Sequence, residues 1–330
     1  MKAIIWTKYG SPDVLELREI EKPIPKDNEL LIKIYATTVT AGDCEMRRME
    51  TAIQYRYLMR MYVGFGKPKR ITILGMELSG VVESIGKDVT KFKIGDQIFA
   101  ATGFANAGTY TEYICLPEEP TEGDTVIAIK PVNMSHEEAA PVPIGGLEAL
   151  YFLRKANIQS GQKLLINGAG GTIGNFAVQI AKYYGTEVTA VDSTGKLEML
   201  HSIGADHVID YNETDFTQTG ETYDVIFDIV GKAPYSGSME SLKENGIYIS
   251  GIPKTSRSIR GRWTSGRSSK KVIFGTTVLK IEDLIFLRDL IEAGKVKSVI
   301  DRVYPLEQTA EAHRYVEAGK KTGHVIITVA

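Results

Sequence analysis

The hydrophobic rhythm of this 330-residue chain changes near residue 135. Before that point, short apolar or alternating runs at 3–7, 30–38, 79–85, 97–100, 110–116 and 126–130 are separated by turn chemistry. Gly86-Lys87-Asp88 and Lys93-Ile94-Gly95-Asp96 are examples, because glycine accepts positive φ and aspartate closes a tight turn on its own backbone. The pattern predicts a mainly β domain whose strands close into a small barrel. Beyond Ser135 helical and strand periodicities alternate. Helices are predicted at 136–153, 175–184, 196–203 and 236–242, with strands at 163–167, 187–191, 207–210, 224–230, 246–250 and 272–278. Repeated β-α-β alternation is the signature of a doubly wound parallel sheet. A final stretch, helix 281–293, strand 299–304, helix 308–318 and strand 324–329, follows the sheet and is expected to return to the first domain.

The stretch Lys163-Leu-Leu-Ile-Asn-Gly-Ala-Gly-Gly-Thr-Ile-Gly174 reads as a buried strand passing through a glycine turn into a helix. Such a turn lets backbone N–H groups approach a pyrophosphate, and the helix N-terminus attracts the anion. The frame that ends at Gly174 reads Ala169-x-Gly171-x-x-Gly174, and Thr172 and Ile173 within it join the candidate cofactor-binding residues. A second strand follows and ends at Asp192, about twenty residues on, where an acidic ribose partner is expected. The alternative is a glycine-rich turn without a ligand.

Composition narrows the class. A hydrophobic content of 43% supports a substantial core, and a net charge of −2 gives no general attraction to nucleic acid or anionic membrane. Cys44 and Cys115 stand far apart, which leaves neither a disulfide framework nor a cysteine zinc knuckle. No stretch reaches about eighteen consecutive apolar residues. A soluble cytoplasmic protein is the expectation.

The whole pattern resembles the medium-chain dehydrogenase/reductases, in their zinc-lacking branch of quinone and enone oxidoreductases. The residues that carry the likeness are Gly75-Met76-Glu77-x-x-Gly80, Gly95-Asp96, Ala139-Ala140-Pro141 with Gly146-Leu147, Gly161-Gln162, Ala169-x-Gly171-x-x-Gly174-x-x-x-Val178-Gln179, Ser202-Ile203-Gly204-Ala205-Asp206 running on to Asp210-Tyr211, and the stretch 323–329. The resemblance implies a GroES-like catalytic domain built from both termini (1–130 and 296–330), a Rossmann NAD(P)-binding domain (131–295) and hydride transfer in the cleft. Zinc enzymes of this superfamily hold their metal with a cysteine and a histidine at positions that here read Thr40 and Met76. A hydroxyl and a thioether are poor zinc ligands beside thiolate and imidazole, so no metal is expected. Without a Lewis acid, reduction of a quinone or an α,β-unsaturated carbonyl is favoured over alcohol oxidation. The alternatives are a zinc-independent carbonyl or alcohol dehydrogenase, and a non-enzymatic NADPH sensor or RNA-binding protein.

The family's early-loop pattern is matched by Asp43 and Arg47, with Thr40 in place of an asparagine. These three are the candidate catalytic residues, with Asp43 and Arg47 expected to pair and Thr40 to offer a hydroxyl; a purely structural ion pair is the competing reading. Cys44 has no histidine near it in sequence and a carboxylate beside it, which disfavours a nucleophilic role. No general acid is assigned. Around the cofactor, Asp192 favours NAD, whereas Ser193, Thr194, Lys196 and Tyr211 resemble the set by which zinc-free relatives hold NADP. NADPH is expected ahead of NAD, and Val230, Gly231, Ile252, Phe274 and Thr276 complete the cofactor-lining set.

Two cationic stretches remain. Residues 46–70 interleave Arg47, Arg48, Arg56, Arg60, Lys67, Lys69 and Arg70 with tyrosines, methionines and Phe65. A cover over the substrate, a surface for anionic lipid and a nucleic-acid contact all suit that composition, with the cover favoured. Residues 254–271 are rich in arginine, serine and glycine, as a solvated loop is. Strand 272–278 is expected to end the sheet and pair into a homodimer.

Overall fold

A computed structural model describes residues 1–50, 53–119, 125–251 and 268–329, with side chains of the helix starting at Ile53 described from Arg56 onward. The chain forms two compact units, one of residues 1–144, 279–293 and 298–330, the other of 145–278 and 294–297.

In the first unit β1 (Lys2–Trp6) pairs antiparallel with β2 (Leu15–Glu19). The long strand β3 (Glu29–Val39) is the hub of a seven-stranded sheet. On one side it pairs with β4 (Glu77–Ile85), which continues to β5 (Gln97–Ala101). Its other side is divided: residues 29–33 pair with β6 (Tyr113–Pro117), and residues 36–39 with the C-terminal strand 324–328. The strand β7 (Val126–Ile129) extends the sheet beyond β5. Alternation along β3 sends Leu30, Ile32 and Ile34 into one core with Leu78, Val82, Ile98 and Leu116. A second core gathers Trp6, Cys44, Met46, Met49, Val63, Tyr110, Val325 and Ile327. Among the described residues no ladder joins the two ends of this sheet, so the expected closed barrel is an open sheet with a split central strand.

The second unit is a six-stranded, all-parallel sheet of β8 (Lys163–Asn167), β9 (Glu187–Asp192), β10 (His207–Asp210), β11 (Tyr223–Asp228), β12 (Leu242–Ser250) and β13 (Lys271–Ile273). Its order is β10-β9-β8-β11-β12-β13, which counts within the unit as 3-2-1-4-5-6. The order in which strands are added therefore reverses between β8 and β11, the crevice where open α/β sheets bind ligands. Leu164, Leu165 and Ile166 are all fully buried, as a strand covered on both faces requires. The last strands, β14 (Ile300–Pro305) and β15 (His324–Thr328), lie parallel in the first unit's sheet.

Among the described residues the helices are α1 (Ala41–Arg48), α2 (Ile53–Val63), α3 (His136–Ala139), α4 (Val142–Lys155), α5 (Thr172–Tyr183), α6 (Leu197–Ser202), α7 (Tyr235–Glu240), α8 (Ile281–Glu292) and α9 (Thr309–Glu317). Two expectations change. The predicted helix 136–153 is two helices, because Pro141 lacks the N–H needed to continue α3 and Pro143 is tolerated only in the opening turn of α4. The strand expected at 272–278 ends at Ile273. The segment after β7 is tied to the first unit. Ser79 Oγ lies 2.8 Å from His136 Nδ1, the Ile144 N–H donates to Glu77, and Asn133 donates to the Ile291 carbonyl of α8.

Candidate functional site

At the switch point of the second unit, β8 ends at Asn167 and the chain turns through Gly168, whose φ of +89° suits glycine. Helix α5 starts at once, with Gly171 as N-cap. The predicted start at 175 is therefore three residues late. Gly174 is pressed against the turn: a Cβ there would lie 2.3 Å from the Gly168 carbonyl oxygen and 2.5 Å from that of Ala169. No side chain fits. The first-turn amides of Thr172, Ile173 and Gly174 belong to the helix N-terminus that opens at this turn. This arrangement fits the phosphates of a dinucleotide.

The neighbouring strand end supplies charge. Asp192 closes β9 and is almost fully buried. One carboxylate oxygen accepts the Gly170 N–H at 2.8 Å, and the other accepts the Ser193 N–H at 2.8 Å and the Lys196 ammonium at 2.8 Å. The Lys196 stem lies across the turn, since a Cβ on Gly170 would meet its Cδ at 2.5 Å. Thr194 donates its hydroxyl to Asp210, whose carboxyl is held below the usual range chiefly by that bond. Tyr211 follows, its N–H donating to the Asp192 carbonyl at 3.1 Å and its side chain exposed. Asp192, Ser193, Thr194, Lys196 and Tyr211 thus gather at one corner of the glycine turn.

On the other flank the end of β11 is fixed by Asp228. Its carboxylate accepts from Asn167 at 2.9 Å, from the Gly231 N–H at 2.8 Å and from the Tyr248 hydroxyl at 2.6 Å. Val230 is pressed over Gly168, where a Cβ would meet its Cγ2 at 2.3 Å. Val230 and Gly231 therefore border the turn. Phe274, half-buried, and Thr276, exposed, follow β13; Ile252 lies outside the described residues. Sequence reading passed over Asn167, Asp228 and Tyr248, although a polar residue ending each of two adjacent apolar strands was a usable signal.

Glu148 was also missed. It lies on α4 three residues after Gly145, where a Cβ would come within 2.6 Å of the Thr172 carbonyl oxygen at the start of α5. Spacing of three places both residues on one side of the helix. Burial alone pushes the Glu148 carboxyl up to about 7, with no charged neighbour contributing.

The early loop of the first unit is a different construction. Thr40 is the N-cap of α1, and its side chain accepts the Asp43 N–H at 3.2 Å while its own N–H and hydroxyl donate to Asp43 at 2.8 and 2.6 Å. This is a capping box. Burial raises the Asp43 carboxyl pKa despite these bonds. The expected pairing of Asp43 with Arg47 does not occur. Arg47, fully buried, donates to the Gly10 carbonyl and to Glu317, which also receives Arg48. A histidine does reach Cys44, from 269 positions away: His313 Nδ1 lies 3.3 Å from its sulfur. Burial nevertheless pushes the thiol up to about 12 and the imidazole down to about 3, so both stay neutral. Their environment is that of a core, not of a nucleophile. Thr40 is occupied by its cap and Met76 offers only a thioether; no group of three or more His, Cys, Asp or Glu side chains among the described residues is arranged to hold a metal ion. No described helix is long and apolar enough to cross a membrane.

Comparison with known proteins agrees with this architecture. Residues 26–129 match the alcohol dehydrogenase GroES-like domain, and residues 203–327 match a model described as zinc-binding dehydrogenase. The chain is 32% identical to 2-methylene-furan-3-one reductase of Solanum lycopersicum, over 99% of this chain and 79% of that one. Against the chloroplastic NADPH-dependent alkenal/one oxidoreductase of Arabidopsis thaliana it is 30% identical, again over 99% and 79%. The solved quinone oxidoreductase of Coxiella burnetii superposes with a TM-score of 0.86 at 28% identity, covering 100% of this chain and 99% of that one.

Proposed function

Because the chain belongs to the medium-chain dehydrogenase/reductase family, in its branch of quinone oxidoreductases and enone reductases, we propose that it reduces quinones or α,β-unsaturated carbonyls with NADPH and without zinc. The observation that carries the cofactor choice is the Asp192–Lys196 ion pair beside Gly170. A free carboxylate at that strand end would accept the ribose hydroxyls and repel a 2′-phosphate. Here the carboxylate is committed to the Gly170 and Ser193 amides and neutralised by Lys196, which favours an anion at the same corner. Ser193, Thr194 and Tyr211 stand beside it with hydroxyl donors.

The bound nicotinamide supplies the hydride. The glycine turn and the amides of Thr172, Ile173 and Gly174 hold the phosphates, while Val230 and Gly231 border them; we place Phe274 and Thr276 further along the same cofactor. Conjugated acceptors suit a metal-free site, because charge arriving on their oxygen needs only hydrogen-bond donors and a proton. Thr40 and Met76 are the residues that argue against zinc, through the weakness of their donor atoms. In the first unit Asp43 and Arg47 act as positioning residues through the α1 cap and the Glu317 pair.

The test is consumption of NADPH and NADH with a quinone, an enone and a simple aldehyde, with metal content measured on the same sample. Turnover of the first two acceptors with tighter NADPH binding is expected. Tighter NADH binding overturns the cofactor assignment; one zinc per chain with alcohol oxidation overturns the chemistry. We also propose a homodimer through the outer side of β13, the last strand of its sheet, and light scattering at micromolar concentration checks it.

A further inference from the structure

We propose that α2 and the turn after it form a docking surface for anionic lipid headgroups. The helix is apolar on two sides. Its inner side, with Met59, Tyr62 and the fully buried Val63, packs on the first unit's core. Tyr57, Leu58, Met61 and Phe65 form a second, outward stripe, each about 60% exposed at 62, 63, 62 and 59%. Positions 57 and 61 follow the helical i, i+4 spacing with 58 beside them, and Phe65 lies in the turn just past the helix end. The Tyr57 and Phe65 rings meet edge to face at 5.5 Å, so the exposed apolar groups form one cluster. A contiguous exposed stripe of this kind marks an interaction site.

The charge around the stripe identifies the partner. Between Glu50 and Glu77 there is no acidic residue, while Arg56, Arg60, Lys67, Lys69 and Arg70 all fall within it. Lys67, Lys69 and Arg70 are exposed. They are held close to the helix end by a tight turn, in which the Lys69 and Arg70 N–H groups donate to the Val63 carbonyl at 2.8 and 3.0 Å. Gly64, at φ +144°, permits it: a Cβ there would lie 2.1 Å from the Lys67 carbonyl oxygen. Tyr9 donates its hydroxyl to the Gly64 carbonyl from the other side, and the Arg70 guanidinium lies 4.0 Å over the Tyr62 ring. The cations are thus presented on a fixed rim beside an aromatic and aliphatic stripe. This is the composition of a helix that lies in the headgroup region, apolar side chains inserted and cations on anionic lipids. A second copy is a poor occupant, since a twofold contact would set these cations against their own images.

The full-length protein is mixed with vesicles of phosphatidylcholine alone or with about 30% phosphatidylserine, at about 50 and about 500 mM salt, and pelleted. Binding to the anionic vesicles at least about tenfold above the neutral ones, and lost at high salt, is expected. Y57S/F65S and K67E/K69E each reduce it by about tenfold or more, with circular dichroism confirming that the exposed substitutions leave the fold intact. Equal binding to both vesicles, no binding, or no effect of either double variant overturns the proposal. So does dimerisation abolished by Y57S/F65S in the absence of lipid, or a single-stranded RNA that binds more tightly than the anionic vesicles.

Discussion

Asp43–Arg47 and Asp192–Lys196 carry the same written pattern, an aspartate followed four residues later by a cation. At Asp192 and Lys196 the pair forms, at 2.8 Å. At Asp43 and Arg47 it does not, and the partner of Arg47 is Glu317. The difference lies in what else competes for the carboxylate. Asp43 is the third residue of a capped helix, so its side chain turns back to Thr40 and away from the next turn. Asp192 ends a strand and has its cation brought round by the short 3₁₀ turn Thr194–Lys196. One pattern therefore fixes a scaffold, and the other leaves charge beside a turn that can receive a ligand. Four-residue spacing on a helix makes neighbours only where no better partner takes the side chain first.

Glu317→Ala tests the scaffold side most severely. It leaves Arg47 buried without its counter-charge, which costs about 3–4 kcal/mol for a pair of this burial. Urea unfolding should show that loss, whereas the NADPH dissociation constant should stay within about twofold, since the pair acts on the first unit alone. A large loss of cofactor affinity would break the contrast.

The second test uses pH. Glu148 has a carboxyl raised from 4.5 to about 7, so the folded chain keeps a proton that the unfolded chain loses above pH 4.5. Its effect on stability is unfavourable and grows as pH rises from 4.5 to 7, then levels off. Glu148→Gln should gain about 2–3 kcal/mol at pH 8 and nothing at pH 4, by denaturant unfolding at both. His313 behaves oppositely: lowered from 6.5 to about 3, it stabilises fully above pH 6.5 and progressively less as pH falls towards 3. The two groups thus respond to acid with opposite signs, while Asp206, Asp210 and Asp224, whose carboxyls are held low, add acid sensitivity to the nucleotide unit as well.

Lys196→Ala gives the smallest effect and sharpens the comparison most. It should weaken NADPH binding about tenfold and NADH binding far less, and it also lowers thermal stability, because Asp192 keeps its two backbone donors but is left buried without a counter-charge. Fluorescence titration with both cofactors checks it, and equal losses would move the 2′ recognition elsewhere.

Most of the nucleotide unit was legible because its signals are local. Leu164 to Ile166 is a continuous apolar run, the glycines follow it directly, and Asp192 closes the next strand. Errors there were small: α5 starts at Thr172 because Gly171 is already its cap, and β13 stops at Ile273. The first unit was less legible because its partners are remote. Nothing near Cys44 announced His313, nothing near Arg47 announced Glu317, and the return of 324–328 to β3 rested on family likeness. Glu148 gave no sign at all, since its shift comes from what packs around α4.

The split partnership of β3 has a consequence for synthesis on the ribosome. Residues 36–39 wait for a strand that emerges about 290 positions later, which at about 5–20 residues per second is tens of seconds. The nucleotide unit, residues 145–278 and 294–297, has emerged before then. The nascent chain therefore carries a finished second unit and an open seam in the first, and that seam is where chaperones or a neighbouring nascent strand would act.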